Sequence, residues 1–307
     1  MKPELWERFA RRLKTVDETP EPLRALALAA LKPDDQIRLL VFGPAQRVLD
    51  NISPATLLAI FENEWLVVVG SKEIKPEVSR CAFADTLLVE FTNILLHGQL
   101  RIDYVADGRA QTVTVQFNTV TEGLYQEAVQ LLLNGMDGIL EITPCDSQAL
   151  HHSLESLPMK FFNAMAQFIP MGQRVLALVH WPAVLGRKLR IFRRELAPEA
   201  VLALTDRELL FISEEKTCSW GRPDRVQKYG SIVTHCPLSR VAAIQINEHD
   251  LLDTIDVEIR VGQEGEKLKI EFPHEQKAEV VAFLALAIKH QKHDRVNGFE
   301  RPGEIEK

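Results

Sequence analysis

The sequence has few of the features from which a catalytic protein is usually identified. Its four cysteines are Cys81, Cys145, Cys218 and Cys236, and no two of them form a Cys-x-x-Cys pair. The spacing therefore gives no indication of a metal knuckle or a thioredoxin-like redox site. The chain also lacks the G-x-S-x-G, H-E-x-x-H, P-loop and G-x-G-x-x-G motifs, so we expect neither a cofactor nor an enzymatic activity.

Long apolar runs and excess positive charge are missing as well. No stretch approaches the roughly 18 uncharged apolar residues that a membrane-spanning helix needs, and the first residues lack the apolar run of a signal peptide. We therefore expect a cytoplasmic protein without a transmembrane segment. The net charge of −7 disfavours a nucleic-acid partner, because nucleic-acid binding normally requires a positive surface.

What the chain does contain is an internal repeat. Its 307 residues suit two domains, and 46% apolar residues give each of them a core. Residues 57–69 align with residues 201–213 at an offset of 144, which pairs Ala59 with Ala203 and Leu66 with Leu210. Each segment is typical of two strands joined by a tight polar turn.

Further along, the offset of the repeat becomes 155 and pairs Cys81 with Cys236. The change indicates an 11-residue insertion in the second copy, between about 216 and 235, with the loop composition around Trp220. Upstream, residues 40–45 align with residues 178–183 at an offset of 138. Three matches in the same order, with gaps confined to polar loops, favour a duplication.

Periodicity gives the order of elements most clearly in the second copy. Strands are predicted near 174–181, 200–205, 208–213, 229–236, 240–247, 254–262 and 266–272, with a helix at 275–291. In the first copy, Thr119-x-x-Glu122 predicts a capping box at the start of the corresponding helix. Residues 4–31 predict two helices broken around Pro20 and Pro22, and residues 146–169 predict one or two more.

These elements predict an α+β fold of two modules. Each module is expected to be a bent seven-stranded antiparallel barrel capped by a C-terminal helix, with the N-terminal and linker helices fixing the relative orientation. The predicted division is N-terminal helices at 1–33, a first module at 34–136, a helical linker at 137–172, a second module at 173–293 and a flexible tail at 294–307.

The second copy resembles bacterial pleckstrin-homology-like and GRAM-like domains. The resemblance rests on residues 201–213 (VLALTDRELLFIS), on Tyr229-Gly230 and on residues 237–241 (PLSRV), and it covers about 100 residues. It reaches the first copy through the repeat. The resemblance implies two pleckstrin-homology-like modules that bind membrane lipids or proteins, although a fold by itself does not establish a function.

A cluster of basic residues follows the first strand of the second copy, in the loop where pleckstrin-homology domains commonly hold phosphoinositide head groups. The candidate anion- or lipid-binding residues are Arg187, Lys188, Arg190, Arg193 and Arg194. Lys and Arg side chains there are suited to binding phosphates by charge-assisted hydrogen bonds. The alternative is an extended hairpin whose basic side chains are solvated or pair with the surplus of acidic residues elsewhere, which the alternation of Leu189 and Ile191 favours.

Three further apolar residues are candidates for binding a partner: Trp220 in the insertion, and Met159 and Phe162 in the linker. Thioether and aromatic side chains suit partner grooves, but the linker residues equally suit a covered inter-domain core. The apolar stripe of the N-terminal helix, with Trp6 and Phe9, suits a membrane surface or packing on the parent domain. His151 and His152 are adjacent, so they do not easily bind one metal.

We therefore expect a non-catalytic adaptor that binds a protein partner or, peripherally, an anionic membrane surface. One alternative is a structural or oligomerisation scaffold, a homo-oligomer assembled through sheet edges and the linker. A further alternative is an enzyme with an unrecognised site.

Overall fold

The structure is a computed structural model that describes residues 8–48, 51–70, 75–138, 147–188, 192–215 and 230–296. Within these residues the chain is α+β, with mostly antiparallel sheets and few helices. We call residues 39–136 the first half and residues 175–296 the second half. The two halves are joined by helices α3 (Ser147–Leu154) and α4 (Met159–Phe168). The sequence predicted one or two helices in this linker, and the structure has two.

Strand β1 (Arg11–Arg12) and helix α1 (Leu23–Ala30) precede the first half. The first half contains β2 (Leu39–Gly43), β3 (Gln46–Val48), β4 (Asn51–Ser53), β5 (Ala55–Ile60), β6 (Glu64–Gly70), β7 (Glu77–Ala82), β8 (Thr86–Ile94), β9 (His97–Ala106), β10 (Arg109–Asn118) and α2 (Glu122–Met136). The second half contains β11 (Val175–Trp181), β12 (Val184–Lys188), β13 (Phe192–Ala197), β14 (Ala200–Thr205), β15 (Glu208–Glu214), β16 (Gly230–Pro237), β17 (Val241–Asn247), β18 (Asp253–Val261), β19 (Glu264–Phe272) and α5 (Lys277–Val296).

The two halves have the same order of elements and the same pairing registers. Ala59 lies opposite Leu66 in the β5–β6 hairpin, and Ala203 lies opposite Leu210 in the β14–β15 hairpin, as the offset of 144 requires. On the next strands, Cys81 and Cys236 again occupy equivalent positions, opposite residues 65 and 209. The 11-residue difference therefore falls between β15 and β16.

The later strands also repeat at the offset of 155, and even an irregularity in their pairing occurs at the same position in both halves. The β8–β9 ladder shifts register between Thr86 and Leu88, and the β17–β18 ladder shifts between Val241 and Ala243. The helices that end the two halves, α2 and α5, also begin at equivalent residues, 122 and 277. A β-bulge at the same position in both halves indicates that the bend of the strand is part of the shared frame.

The β9–β10 hairpin shows why the sequence forms these ladders. Its two-residue turn is Asp107-Gly108, and both residues have positive φ, 52° and 67°. Asp-Gly accepts this conformation, which matches the right-handed twist of the flanking strands. Gly262, at the position equivalent to Asp107, has φ 63°.

One sheet runs through both halves. Its strand order is β10-β9-β8-β16-β15-β14-β11, and within this sheet the halves meet at the antiparallel pair β8–β16, which runs from Ile94 opposite Gly230 to Val89 opposite His235. From the sequence we expected two separate barrels oriented by helices. The orientation is set instead by backbone pairing, which we call the β8–β16 joint.

A helix packs on one face of the first strands of each half. In the first half, Leu23 and Ala27 of α1 pack in one cluster with apolar residues of β2, β5 and β6. In the second half, Phe161 and Met165 of α4 pack in a cluster that includes Leu210 of β15. The opposite face of these strands of the second half packs on β17–β19 and α5.

Two local predictions were wrong. Residues 11–12 form β1, which pairs with β2, rather than a turn of an amphipathic helix; Leu13 is buried against the first half. The Thr119 hydroxyl does not cap α2 but donates to the Leu95 carbonyl, while the Asn118 side chain accepts from the Val120 N–H. A short 3-10 turn before α2 moves the cap to Asn118.

Candidate binding site

The basic segment of the second half forms the β12–β13 hairpin. Backbone pairing places Leu185 opposite Glu195, Gly186 opposite Arg194, and Arg187 opposite Arg193. The corresponding β3–β4 hairpin of the first half pairs Gln46–Val48 with Asn51–Ser53 and is shorter. The second half therefore extends this hairpin where its sequence is most basic.

The structure describes the backbone of Arg187, Lys188, Arg193 and Arg194 on the two strands of this hairpin. Residues 189–191, including Arg190, lie outside the described residues, and so does Trp220. Because the strands run antiparallel and in contact, four of the five predicted basic residues belong to one two-stranded ribbon.

Gly186 allows the chain to fold closely at the base of the hairpin. A Cβ atom at this position would lie 2.8 Å from the Leu196 side chain on the neighbouring strand. A larger residue would push the two strands apart, so glycine permits the close approach.

An open cleft of about 390 Å³ lies beside the base of the hairpin. Its lining consists of Glu195, Leu196, His249, Asp250, Leu251, Leu252, Thr254, Lys269 and Glu271. Three carboxylates face one lysine and one histidine, so the cleft does not suit a phosphate group. An anionic ligand is therefore expected on the basic strands rather than inside the cleft.

A contact between Asp253 and His274 connects the start of β18, beside the cleft, to the turn before α5. Asp253 is buried at the start of β18, and its Oδ1 lies 3.0 Å from Nδ1 of His274, at the turn before α5. The hydrogen bond that Asp253 accepts raises the pKa of His274 above its ordinary value. When it is protonated, the imidazole offsets the charge of a carboxylate that is buried in the core.

The linker residues proposed as partner contacts have different environments. Met159 is exposed at the start of α4, whereas Phe162 is partly buried, with its ring 5.2 Å from the ring of His151. Lys160 lies 2.5 Å from both Glu199 and Glu214, which holds α4 on the second half. Burial lowers the pKa of Lys160, but these two hydrogen bonds outweigh it and raise the pKa overall.

A buried hydrogen-bonded pair that we did not predict from the sequence lies near the β8–β16 joint. Nδ1 of His235, on β16, lies 2.9 Å from Oε2 of Glu208, and both side chains are almost fully buried. The repeat places Arg80 and Glu64 at the equivalent positions, where their closest atoms are 2.6 Å apart. The repeat was therefore the sequence signal for this pair, because both copies have a glutamate at one position and an arginine or histidine at another, on neighbouring strands. Asp137, close to Glu208, has its pKa raised to about 7 by burial.

A second polar cluster crosses between the halves. Arg101 and Asp103 of β9 are 2.8 Å apart, and Arg101 reaches Glu266 of β19 at 3.6 Å. Burial, followed by a hydrogen bond with Asp103, raises the pKa of Glu266 to about 7. Burial also raises the pKa of Glu90, which is part of the same cluster.

Among the described residues, no group of His, Cys, Asp and Glu side chains is placed to hold a metal ion. Cys81 and Cys236, both buried, are free thiols. Burial raises the pKa of Cys81 to about 12, so this thiol stays protonated. None of the helices in the part of the chain that the structure describes is long and apolar enough to cross a membrane.

Comparison with known proteins adds no family. No protein-family model matches the sequence, and no curated protein is significantly similar to it.

Proposed function

We propose that the chain is a non-catalytic adaptor built from two pleckstrin-homology-like modules, whose extended basic hairpin binds an anionic membrane surface. The observation that carries the proposal is the β12–β13 ribbon, which pairs Arg187 with Arg193 and Gly186 with Arg194 where the first half has a shorter hairpin. Concentrated positive charge on a protein of net charge −7 favours an anionic partner at this one place.

The equal registers and the shared bulge support a duplication of one module. The four-stranded and three-stranded parts of each half, followed by a helix, agree with the resemblance to pleckstrin-homology-like domains. Because the β8–β16 joint is a continuous backbone ladder, it would hold the two modules in one orientation. A rigid pair presents its two binding faces with a fixed spacing, which raises avidity when both faces engage.

Vesicle flotation tests the membrane function. We expect the protein to float with phosphatidylcholine vesicles containing phosphatidylserine at low salt, and less at high salt. Each basic residue near such a surface contributes about 1 kcal/mol. Arg190→Glu/Arg193→Glu should therefore weaken binding at least about 30-fold.

The matched control is Arg109→Glu/Lys267→Glu, which makes the same change of charge at exposed positions on β10 and β19. It should bind vesicles much as the unmodified protein does. Absence of binding at both salt concentrations would overturn the membrane function and leave a protein as the partner of the adaptor. Equal loss in both variants would mean that net charge, not the hairpin, drives binding.

A second candidate function is a structural scaffold that assembles through sheet edges. It is favoured by β17, which in the described part of the chain has a partner strand on only one side.

A further inference from the structure

The β8–β16 joint connects two different surfaces of the repeated unit. It uses one edge of β8 in the first half and one edge of β16 in the second half. The repeat supplies the same two strands once more, because β17 is the counterpart of β8 and β7 is the counterpart of β16. A head-to-tail contact of this kind leaves a complementary edge at each end of the pair.

The β17 edge carries no charge. Residues 241–247 (VAAIQIN) also contain no proline or glycine, and the β-bulge between Val241 and Ala243 leaves residues 244–247 regularly paired, so this part of the edge is open to a further strand. Ile244 and Ile246 are partly buried, whereas their counterparts Val89 and Phe91 are fully buried in the joint. Gln245, between the isoleucines, is exposed.

The β7 edge borders an open cleft of about 520 Å³, whose lining includes Arg80 and Cys81 of β7 and Val105 and Ala106 of β9. In the second half, β8 pairs with β16 and contacts β18, so a strand occupies the corresponding corner. The exposure of Val78 reflects the lack of a described strand at this edge of β7 in the first half. Val78 is 43% exposed, whereas its counterpart, residue 233, is a fully buried valine.

We propose that β17 of one copy pairs antiparallel with β7 of a second copy, so that the protein assembles head to tail. Carrying the register of the joint over by 155 residues places Ile246 opposite Val78, as Phe91 lies opposite Val233. The same register places Gln245 opposite Ser79. The proposed ladder has four pairs, between residues 244–247 and residues 77–80, and Pro76 lies just past its end.

This ladder is shorter than the joint within the chain and lacks one of its contacts. Within the chain, Arg240 donates to the carbonyls of Phe83 and Thr86, both at 3.1 Å, and so ties the two halves together. The counterpart of Arg240 is Asp85, which has no donor to offer when ionised. Assembly through β7 and β17 is therefore weaker than the joint and reversible. It does not depend on the membrane ligand proposed above.

Disulfide trapping tests the register directly. One chain carries Ser79→Cys and another carries Gln245→Cys, both in a background with Cys145→Ser and Cys218→Ser. Directly opposite residues of antiparallel strands are about 4.5–5.5 Å apart at Cα, a separation that a disulfide spans. With oxidised glutathione, we expect covalent dimers in the mixture and none from either chain alone. A chain with both cysteines should give a ladder of multimers.

The matched control replaces Gln245→Cys by Val281→Cys, which is also at an exposed position, on α5, and should not cross-link with the Ser79→Cys chain. Cross-linking of the Gln245→Cys chain with itself would show a symmetric β17–β17 dimer and overturn the proposal. Absence of cross-links in the mixture would overturn it as well. Sedimentation velocity of the unmodified protein, from micromolar to millimolar concentration, should show growth beyond the dimer. A species that stays monomeric throughout would contradict assembly, while vesicle binding by that monomer would leave the adaptor function standing.

Discussion

Strands β7 and β16 occupy the same place in the two halves of the chain, but their surroundings differ. Val233 on β16 is fully buried opposite Phe91, whereas Val78 on β7 is 43% exposed. The ladders that form the two strands have the same register. The difference therefore comes from what covers the outer edge, since β8 lies against β16 and no described strand lies against that edge of β7. The same strand of the repeat is thus an interior strand of the sheet in the second half, as β16, and an edge strand in the first half, as β7.

The largest expected effect comes from placing a charge on each strand in turn. Val233→Asp buries a carboxylate without a partner in the β8–β16 joint, so we expect it to lower the free energy of unfolding by about 3–5 kcal/mol. Val78→Asp, its matched control, should change the free energy by no more than about 0.5 kcal/mol in dilute protein. Urea denaturation of both variants measures the difference. Equal losses would show that the two edges are equally buried.

The buried pair of His235 and Glu208 and its counterpart in the first half give a second comparison, with a smaller expected difference. His235→Ala leaves the Glu208 side chain buried without this hydrogen-bond partner, so we expect a loss of about 1–3 kcal/mol. Arg80→Ala removes a guanidinium that lies 2.6 Å from both Glu64 and Asp35. Glu64 keeps its contact with Lys32 at 2.9 Å, but the almost fully buried Asp35 carboxylate loses Arg80, so we expect a larger loss of about 3–5 kcal/mol. Urea denaturation would contradict the comparison if the histidine variant were the less stable of the two.

The sequence predicted the repeated frame because the frame depends on local patterns. Alternation located β14 within a residue, and the 155 offset put Cys81 and Cys236 on equivalent strands. Alternation describes only which face of a strand is buried, however, and the β8–β16 joint forms between edges. Edge pairing between distant strands has no periodic signal, so the continuous sheet could not be predicted.

In the candidate site, too, features formed by neighbouring residues could be predicted from the sequence, whereas contacts between distant residues could not. The basic run at 187–194 is visible in the sequence as a charge cluster, and the structure places its described part on a hairpin. The pairs formed by His235 with Glu208 and by Arg101 with Asp103 join residues on different strands. Only the tertiary arrangement brings such groups together, although the acidic and basic residues at 64 and 80 repeat at 208 and 235.

The smallest expected effect concerns Glu266, a residue of the second half whose carboxyl group contacts Arg101 of the first half. Glu266 stands where the first half has Gln111, which accepts a hydrogen bond from the Tyr104 hydroxyl. Burial first, and then the hydrogen bond with Asp103, raises the pKa of Glu266 from 4.5 to about 7. Between these pH values the folded protein holds more protons than the unfolded chain. Its stability should therefore fall as the pH rises from 4.5 to about 7.

Glu266→Gln, which copies the first half, should reduce this slope and raise the stability at pH 8, because the amide carries no charge to repel Asp103. Some slope should remain, since burial also raises the pKa of Asp137 to about 7. Free energies of unfolding measured from pH 5 to pH 8 give both slopes, with Glu279→Gln, at an exposed position of α5, as the control. If the free energy of unfolding changes with pH equally in the Glu266 and Glu279 variants, Glu266 does not bind the extra proton of the folded state. The polar cluster between the halves would then play no part in the response to pH.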